Sequence, residues 1–332
     1  MKIQAEETNR KLYAYKTLRR DSMYDGNIAE VLQLYGYHFS RRSLELPYFP
    51  PVVWIEPTSA CNLKCPMCLT GQGRVSKLSN GIMDMELYLS IVSQMKDKPI
   101  ARTALFFRGD PLLHPNIVEM VVIANDNNLK PYFHTNAMLL KPELSRELIK
   151  AGLTYISFSI DGETKEEYER IRLGGLFEET IDNVRRFLEI KEDMGSNLPF
   201  VVIQKVDVDG RGLTKAYKAL FDDLPVDQFK LNPVHNWSGE VQGIEIEGED
   251  NRLFPCPDPW QRLTICWNGT VVGCCNDMLQ KYVLGNVREN RMEQIWNGEK
   301  MKELRKMMNG GENACIPLCK GCTFLSVDDW AI

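Results

Sequence analysis

From residue 51 to about residue 235 the chain alternates short runs of β-branched and aromatic residues with longer amphipathic, charged stretches. Such alternation marks repeated βα units around a parallel sheet. It predicts strands over 52–56, 103–107, 131–135, 155–159, 200–204 and 228–231. Between them, apolar residues recur at helical spacing: Leu87, Ile91 and Met95; then Ile117, Met120, Val121 and Ala124; then Ile181, Val184, Leu188 and Ile190. The predicted architecture is α/β. Six units are too few for a closed eight-stranded barrel.

Polar residues interrupt this pattern at one place in each unit, the carboxyl end of the strand. CNLKCPMC follows the first strand, RGDP the second, HTNA the third, SIDG the fourth and NPVHNW the sixth. α/β sheets build their sites at those ends, so one mouth should collect these motifs. Beyond residue 250 the composition shifts to Cys, Pro, Trp and Gly and the βα alternation stops. Asn268-Gly269 predicts a hairpin there, followed by a helix over about 292–307. Residues 1–50 form a third region, charged and holding Tyr13, Tyr15, Tyr24, Tyr35, Tyr37 and Tyr48. A pair of helices packed on the barrel's outside or base is expected. The domain division is therefore 1–50, 51–235 and 236–332.

Composition narrows the chemistry. With 332 residues, 44% of them hydrophobic, the chain can bury one large core or a large and a small one. A net charge of −5 offers no general attraction to nucleic acid or to an acidic membrane surface. No apolar run suits a signal peptide or a membrane span, so a cytoplasmic protein is expected. Ten cysteines in such a chain point to metal binding rather than to disulfides.

Cys61, Cys65 and Cys68, as CxxxCxxC, would give a four-iron cluster three thiolates and leave one iron open for chemistry. Half a zinc site or a redox-active CxxC pair are the alternatives. A second set, Cys256, Cys266, Cys274, Cys275, Cys315, Cys319 and Cys322, forms another candidate metal site in the C-terminal region.

CxxxCxxC after the first strand, with Met67 before the last cysteine, resembles the radical S-adenosylmethionine (SAM) superfamily. The resemblance implies a partial (βα)6 barrel of the radical SAM type. It also implies a [4Fe-4S] cluster on Cys61, Cys65 and Cys68 whose open iron holds SAM, and reductive cleavage of SAM to a 5′-deoxyadenosyl radical. Further residues at family positions would bind the cofactor. Gly109 and Asp110 stand where the family has a Gly-Gly-Glu-Pro type motif, with Arg108 in place of a glycine. Asn136 matches a Thr-Asn-Gly motif, Ser159 and Asp161 a Ser-x-Asp-Gly motif, and Arg172 an arginine near the SAM carboxylate. Gln204 is a further wall candidate.

The C-terminal cysteines resemble the SPASM domain, which carries auxiliary clusters, and more closely its shortened single-cluster form found in an aminocyclitol dehydrogenase. On that resemblance Cys256, Cys274, Cys319 and Cys322 hold one auxiliary [4Fe-4S] cluster, with Cys275 an alternative to Cys274 and Cys315 a competitor. The implied function is a radical SAM oxidoreductase passing an electron to the auxiliary cluster and oxidising a carbohydrate or aminocyclitol alcohol. Flavodoxin or ferredoxin would be the reductant. A peptide-modifying enzyme is the alternative, forming a thioether or carbon-carbon crosslink or epimerising a residue with a spare cysteine as hydrogen donor. A non-catalytic iron-sulfur or zinc protein is the alternative of another class. His235 and Asp161 are candidate bases.

Overall fold

The computed structural model describes residues 26–241, 256–311, 315–319 and 322. Its first six strands are β1 (Val52–Ile55), β2 (Arg102–Leu105), β3 (Pro131–Thr135), β4 (Tyr155–Ser159), β5 (Phe200–Val206) and β6 (Gln228–Asn232). Each lies within two residues of its expected bounds. They pair in sequential order and in parallel, as short strands separated by amphipathic helices must. β6 does not return to β1, so the barrel stays open.

Alternate residues of these strands have separate duties. Val53, Ile55, Phe133, Ile156, Phe158, Val201 and Ile203 are buried in the core with the helices. Their neighbours Trp54, Tyr132, His134, Ser159, Gln204 and Lys230 line a cavity of about 420 Å³. Residues from both edges of the six-stranded array reach one cavity, which shows that the sheet curves around it. The helices bury the faces their spacing foretells: Leu87, Tyr88, Ile91, Val92 and Met95 in Met85–Met95, and Ile117, Met120, Val121 and Ala124 in Ile117–Asp126. Each buried Leu, Ile, Val or Met among them stabilises the fold by about 1.5–3 kcal/mol of apolar burial.

The C-terminal region adds β7 (Arg262–Ile265), β8 (Thr270–Val272) and β9 (Val283–Asn286). The Asn268-Gly269 turn does join an antiparallel hairpin. What the sequence did not foretell is that β7 pairs in parallel with the outer edge of β1. Among the described residues one nine-stranded sheet, ordered β6-β5-β4-β3-β2-β1-β7-β8-β9, runs across the expected boundary between barrel and C-terminal region.

The helix expected over 292–307 is two helices, Met292–Trp296 and Glu299–Gly310. Gly298 is extended (ψ 163°), and a Cβ there would sit 2.7 Å from the Gln294 carbonyl oxygen. Asn297 supplies the reason for the break. Its Oδ1 accepts from Leu46 N at 3.0 Å and from Arg305 Nη1 at 3.3 Å, while its Nδ2 donates to Leu46 O at 2.8 Å.

Of the expected N-terminal helix pair, one helix, Gly26–Ser40, is described, and Tyr13, Tyr15 and Tyr24 lie outside the described residues. Tyr35 and Tyr48 are buried. Tyr48 Oη donates to Trp260 O at 2.9 Å, and Trp296 Nε1 donates to Tyr48 O at 2.9 Å. This segment therefore packs on the C-terminal region as well as on the barrel. No helix among the described residues is long and apolar enough to cross a membrane.

Candidate active site and auxiliary thiol set

Cys61, Cys65 and Cys68 all line the main cavity. Their loop is fixed at several points by its own backbone and by neighbours. Cys68 N donates to Cys65 O at 3.1 Å and Lys64 N to Leu173 O at 2.8 Å. Trp237 Nε1 donates to Met67 O at 2.8 Å. The RGDP turn packs directly beneath: Asp110 N donates to Ala60 O at 2.9 Å. A Cβ on Gly109 would lie 2.3 Å from Ala60 O and 2.4 Å from Thr58 O, so only glycine permits this approach.

Met67, Gly109, Asp110, Asn136, Ser159, Arg172 and Gln204 line the same cavity. Their geometry separates groups that face a ligand from groups that hold the frame. Asp110 is buried, and its carboxylate accepts from Leu112 N (3.0 Å), Asn136 N (2.8 Å) and Thr135 Oγ1 (2.9 Å). It ties the second strand end to the third, although burial still holds its pKa above the usual carboxylate range. Asn136 Nδ2 reaches Asn62 Oδ1 at 2.8 Å and Cys61 Sγ at 3.9 Å. Ser159 Oγ accepts from Gln204 Nε2 at 2.8 Å.

Asp161 does not line the cavity. It is fully buried behind Arg172, accepting from Arg172 Nε at 2.6 Å and from Val206 N at 2.8 Å. Its role in this geometry is to hold the guanidinium that does face the cavity, beside Cys65. Arg108, the departure from the family motif, has an equally definite partner. Its Nε and Nη2 fork onto Glu56 at 2.7 and 2.5 Å with both side chains fully buried. Glu56 Oε2 also accepts from Trp267 N at 3.0 Å, linking the ends of β1 and β2 to the β7 turn.

The four cysteines assigned to the second set line one smaller cavity: Cys256, Cys274, Cys319 and Cys322. Asn276 shares it, its N donating to Cys274 Sγ at 3.3 Å and its Nδ2 to Cys322 Sγ at 3.8 Å. The adjacent Cys275 lines the main cavity instead, with Asn276 bordering both. Cys266 is fully buried and lines neither, and Cys315 is exposed and lines neither.

Both thiol sets suit polynuclear clusters. Burial pushes the Cys61 thiol up to about 12 and raises Cys65, Cys256, Cys274 and Cys319 as well. Thiols so placed become thiolates only when a cation replaces the protons. Among the described residues no three His, Cys, Asp or Glu groups are drawn into a single-ion chelate. A cubane, which distributes its thiolates over separate irons, makes no such demand. Amide N–H groups aimed at Cys61, Cys274 and Cys322 are of the kind that tune cluster potential.

Sequence reasoning missed several lining residues. Trp54, Phe106, Tyr132 and His134 form an aromatic wall, with Phe106 stacked on His134 at 4.2 Å between ring centroids and 4.8 Å from Trp54. Their signal was present, since Trp54, Tyr132 and His134 fall on the alternate strand positions that do not enter the core. Arg262 and Asn276 carried no such signal, because they reach the site only through the β1–β7 pairing and the hairpin beyond it.

Comparison with known proteins finds two domains in the chain. Residues 55–203 match the family model described as the Radical SAM superfamily, and residues 256–323 match the SPASM iron-sulfur cluster-binding domain. The chain is similar to a tungsten-containing aldehyde ferredoxin oxidoreductase cofactor-modifying protein of Pyrococcus furiosus, 24% identical over 84% of this chain and 88% of the relative. It is also similar to the S-adenosyl-L-methionine-dependent 2-deoxy-scyllo-inosamine dehydrogenase of Niallia circulans, 23% identical over 83% and 94%. Among solved structures, BtrN in complex with AdoMet and 2-DOIA shares the fold with a TM-score of 0.57 at 22% identity, covering 83% of this chain and 94% of that one. Streptococcus suis SuiB bound to precursor peptide SuiA does so with a TM-score of 0.61 at 14% identity, covering 92% and 76%. SAM, a SAM-binding [4Fe-4S] cluster and an auxiliary cluster are the cofactors implied by this pair of domains. The chain thus carries a Radical SAM superfamily domain, within an α/β partial barrel, followed by a SPASM domain, the make-up of a radical SAM enzyme.

Proposed function

We propose that this protein is an oxidoreductase that removes two electrons from a hydroxyl-bearing carbon of a polyhydroxylated small molecule, leaving a ketone. One observation carries the reading: Cys274 lines the auxiliary thiol cavity while its neighbour Cys275 lines the main one. A single turn of backbone thus separates the place where a substrate fits from a complete four-thiol set suited to electron transfer. The similarity to the inosamine dehydrogenase supports the same reaction class.

Cys61, Cys65 and Cys68 would hold the SAM-binding cluster, and Cys256, Cys274, Cys319 and Cys322 the auxiliary one. When bound, the first supplies an electron that splits SAM into methionine and a 5′-deoxyadenosyl radical, and the second accepts an electron. Oxidising an alcohol carbon removes a hydrogen atom, a proton and an electron, and the chain's own residues manage the remainder. Arg172, oriented by Asp161, faces the cavity where the SAM carboxylate would need a charge-assisted fork. Ser159 and Asn136 offer polar groups on the same wall. Asp161 is too enclosed to take the substrate proton. His235 lines the cavity, but burial and, to a lesser extent, Lys230 lower its pKa to about 4, which keeps the ring neutral and makes it a weak base for the substrate proton.

If the reaction were instead an epimerisation, Cys275 would be the thiol to act, a reading supported by its place on the main cavity, which Cys266 and Cys315 do not line. Deuterium from heavy water would then appear at the reacting carbon.

Iron and sulfide counts after anaerobic reconstitution test the reading. The wild type should hold about eight irons per chain and the variant Cys61→Ala/Cys65→Ala/Cys68→Ala about four. Only the wild type should release 5′-deoxyadenosine under dithionite. A triple variant that holds zinc and no iron would overturn the electron-acceptor role.

A further inference from the structure

We infer that the substrate carries an anionic group, a carboxylate or a phosphate ester, bound at the inner end of the main cavity by Arg102 and Arg262. This rests on the oxidoreductase reading for the word substrate, but the site itself does not depend on it.

The argument begins with register. Arg102 opens β2 and Arg262 opens β7, and both are in register with Val52, the first residue of the strand between them. Residues sharing a rung of parallel strands project to the same face, and Arg102 and Arg262 both line the cavity. Two strand spacings separate their backbones by about 10 Å. They stand at the amino ends of the strands, three residues of β1 below the end that leads to the cysteine loop.

Two like charges placed on one rung repel each other, and the surroundings answer only one of them. Asp258 pairs with Arg262 at 3.0 Å from the auxiliary side. The Trp54 ring centroid lies 4.6 Å from the Arg262 guanidinium carbon, a cation–π contact that holds the group at the wall. Arg102 makes no side-chain hydrogen bond or ion pair among the described residues. Elsewhere on the wall, Arg108 and Arg172 are matched by Glu56 and Asp161. Among the described lining residues the carboxylate is Asp110, already occupied by Leu112, Asn136 and Thr135.

A ligand entering this end therefore meets guanidinium groups, whose planar forks match carboxylate and phosphate oxygens, beside an aromatic wall suited to the apolar face of a sugar-like ring. An ammonium group would meet repulsion instead. Of the substrates the reaction class allows, the cavity selects an acidic or phosphorylated polyol over an aminocyclitol.

Calorimetric titration of reconstituted, SAM-saturated protein tests this, with inorganic phosphate and malonate as probes. Saturation with SAM occupies Arg172, so that anions report on the inner end. Wild type should bind at least one probe, and which probe binds separates phosphate from carboxylate recognition. Arg102→Gln should weaken that binding at least tenfold while its SAM affinity, measured on the same preparation, stays at the wild-type value. If neither anion binds the wild type, or Arg102→Gln binds as tightly, the anion site is wrong. Loss of 5′-deoxyadenosine formation would sink the redox reading alone, since this titration involves no turnover.

Discussion

Arg172 shows how a side chain can face a cavity without being free to move. Its carboxylate partner Asp161 is fully buried and spends its second oxygen on the Val206 amide. Replacing Asp161 by Asn leaves a buried guanidinium without its counter-charge, a change that costs about 3–5 kcal/mol when a buried pair is broken. Asp161→Asn is expected to lower the urea midpoint and to weaken SAM binding at least tenfold in equilibrium dialysis. Unchanged SAM affinity would remove Arg172 from the site. Arg108 belongs to the same scale: a residue that looked like a defect in a glycine motif proves to be half of a buried bidentate pair.

At the scale of elements, legibility follows the range of the interaction. The six parallel strands could be read because alternation and turn chemistry are local, and their bounds differ from expectation by two residues at most. The site motifs could be read because strand ends are where such folds place chemistry. The break between the helices Met292–Trp296 and Glu299–Gly310 could not, because its cause is Leu46, some 250 positions away. The β1–β7 pairing was hidden for the same reason, and with it the place of Arg262. Asn297→Ala removes three hydrogen bonds at that break, worth about 1–3 kcal/mol together. A fall of a few degrees in the melting temperature is expected, without loss of iron from either thiol set. A variant as stable as wild type would show that Gly298 alone enforces the break.

The whole molecule should respond to acid through its aromatic wall. Burial and, to a lesser extent, Lys230 hold the His134 pKa near about 3, and His235 near about 4, against an ordinary value of 6.5. Between those values the unfolded chain binds protons that the folded one refuses. Stability from this source is therefore complete above about pH 6.5 and is lost as pH falls toward 3. His134→Phe, which keeps an aromatic ring against Phe106, should flatten the decline in melting temperature between pH 7 and pH 5. An identical slope would assign the acid sensitivity to other groups.

The parallel seam between β1 and β7 has one more implication, for how the enzyme would age. Strand β1 leads into the cysteine loop and β7 into the hairpin that precedes Cys274, so backbone ladder bonds, and not the intervening peptide, set the spacing of the two thiol sets. A chain cut between β6 and β7 should leave two fragments that co-migrate in native gels and separate only in denaturant. Wear at that point would shorten the polypeptide without breaking the circuit.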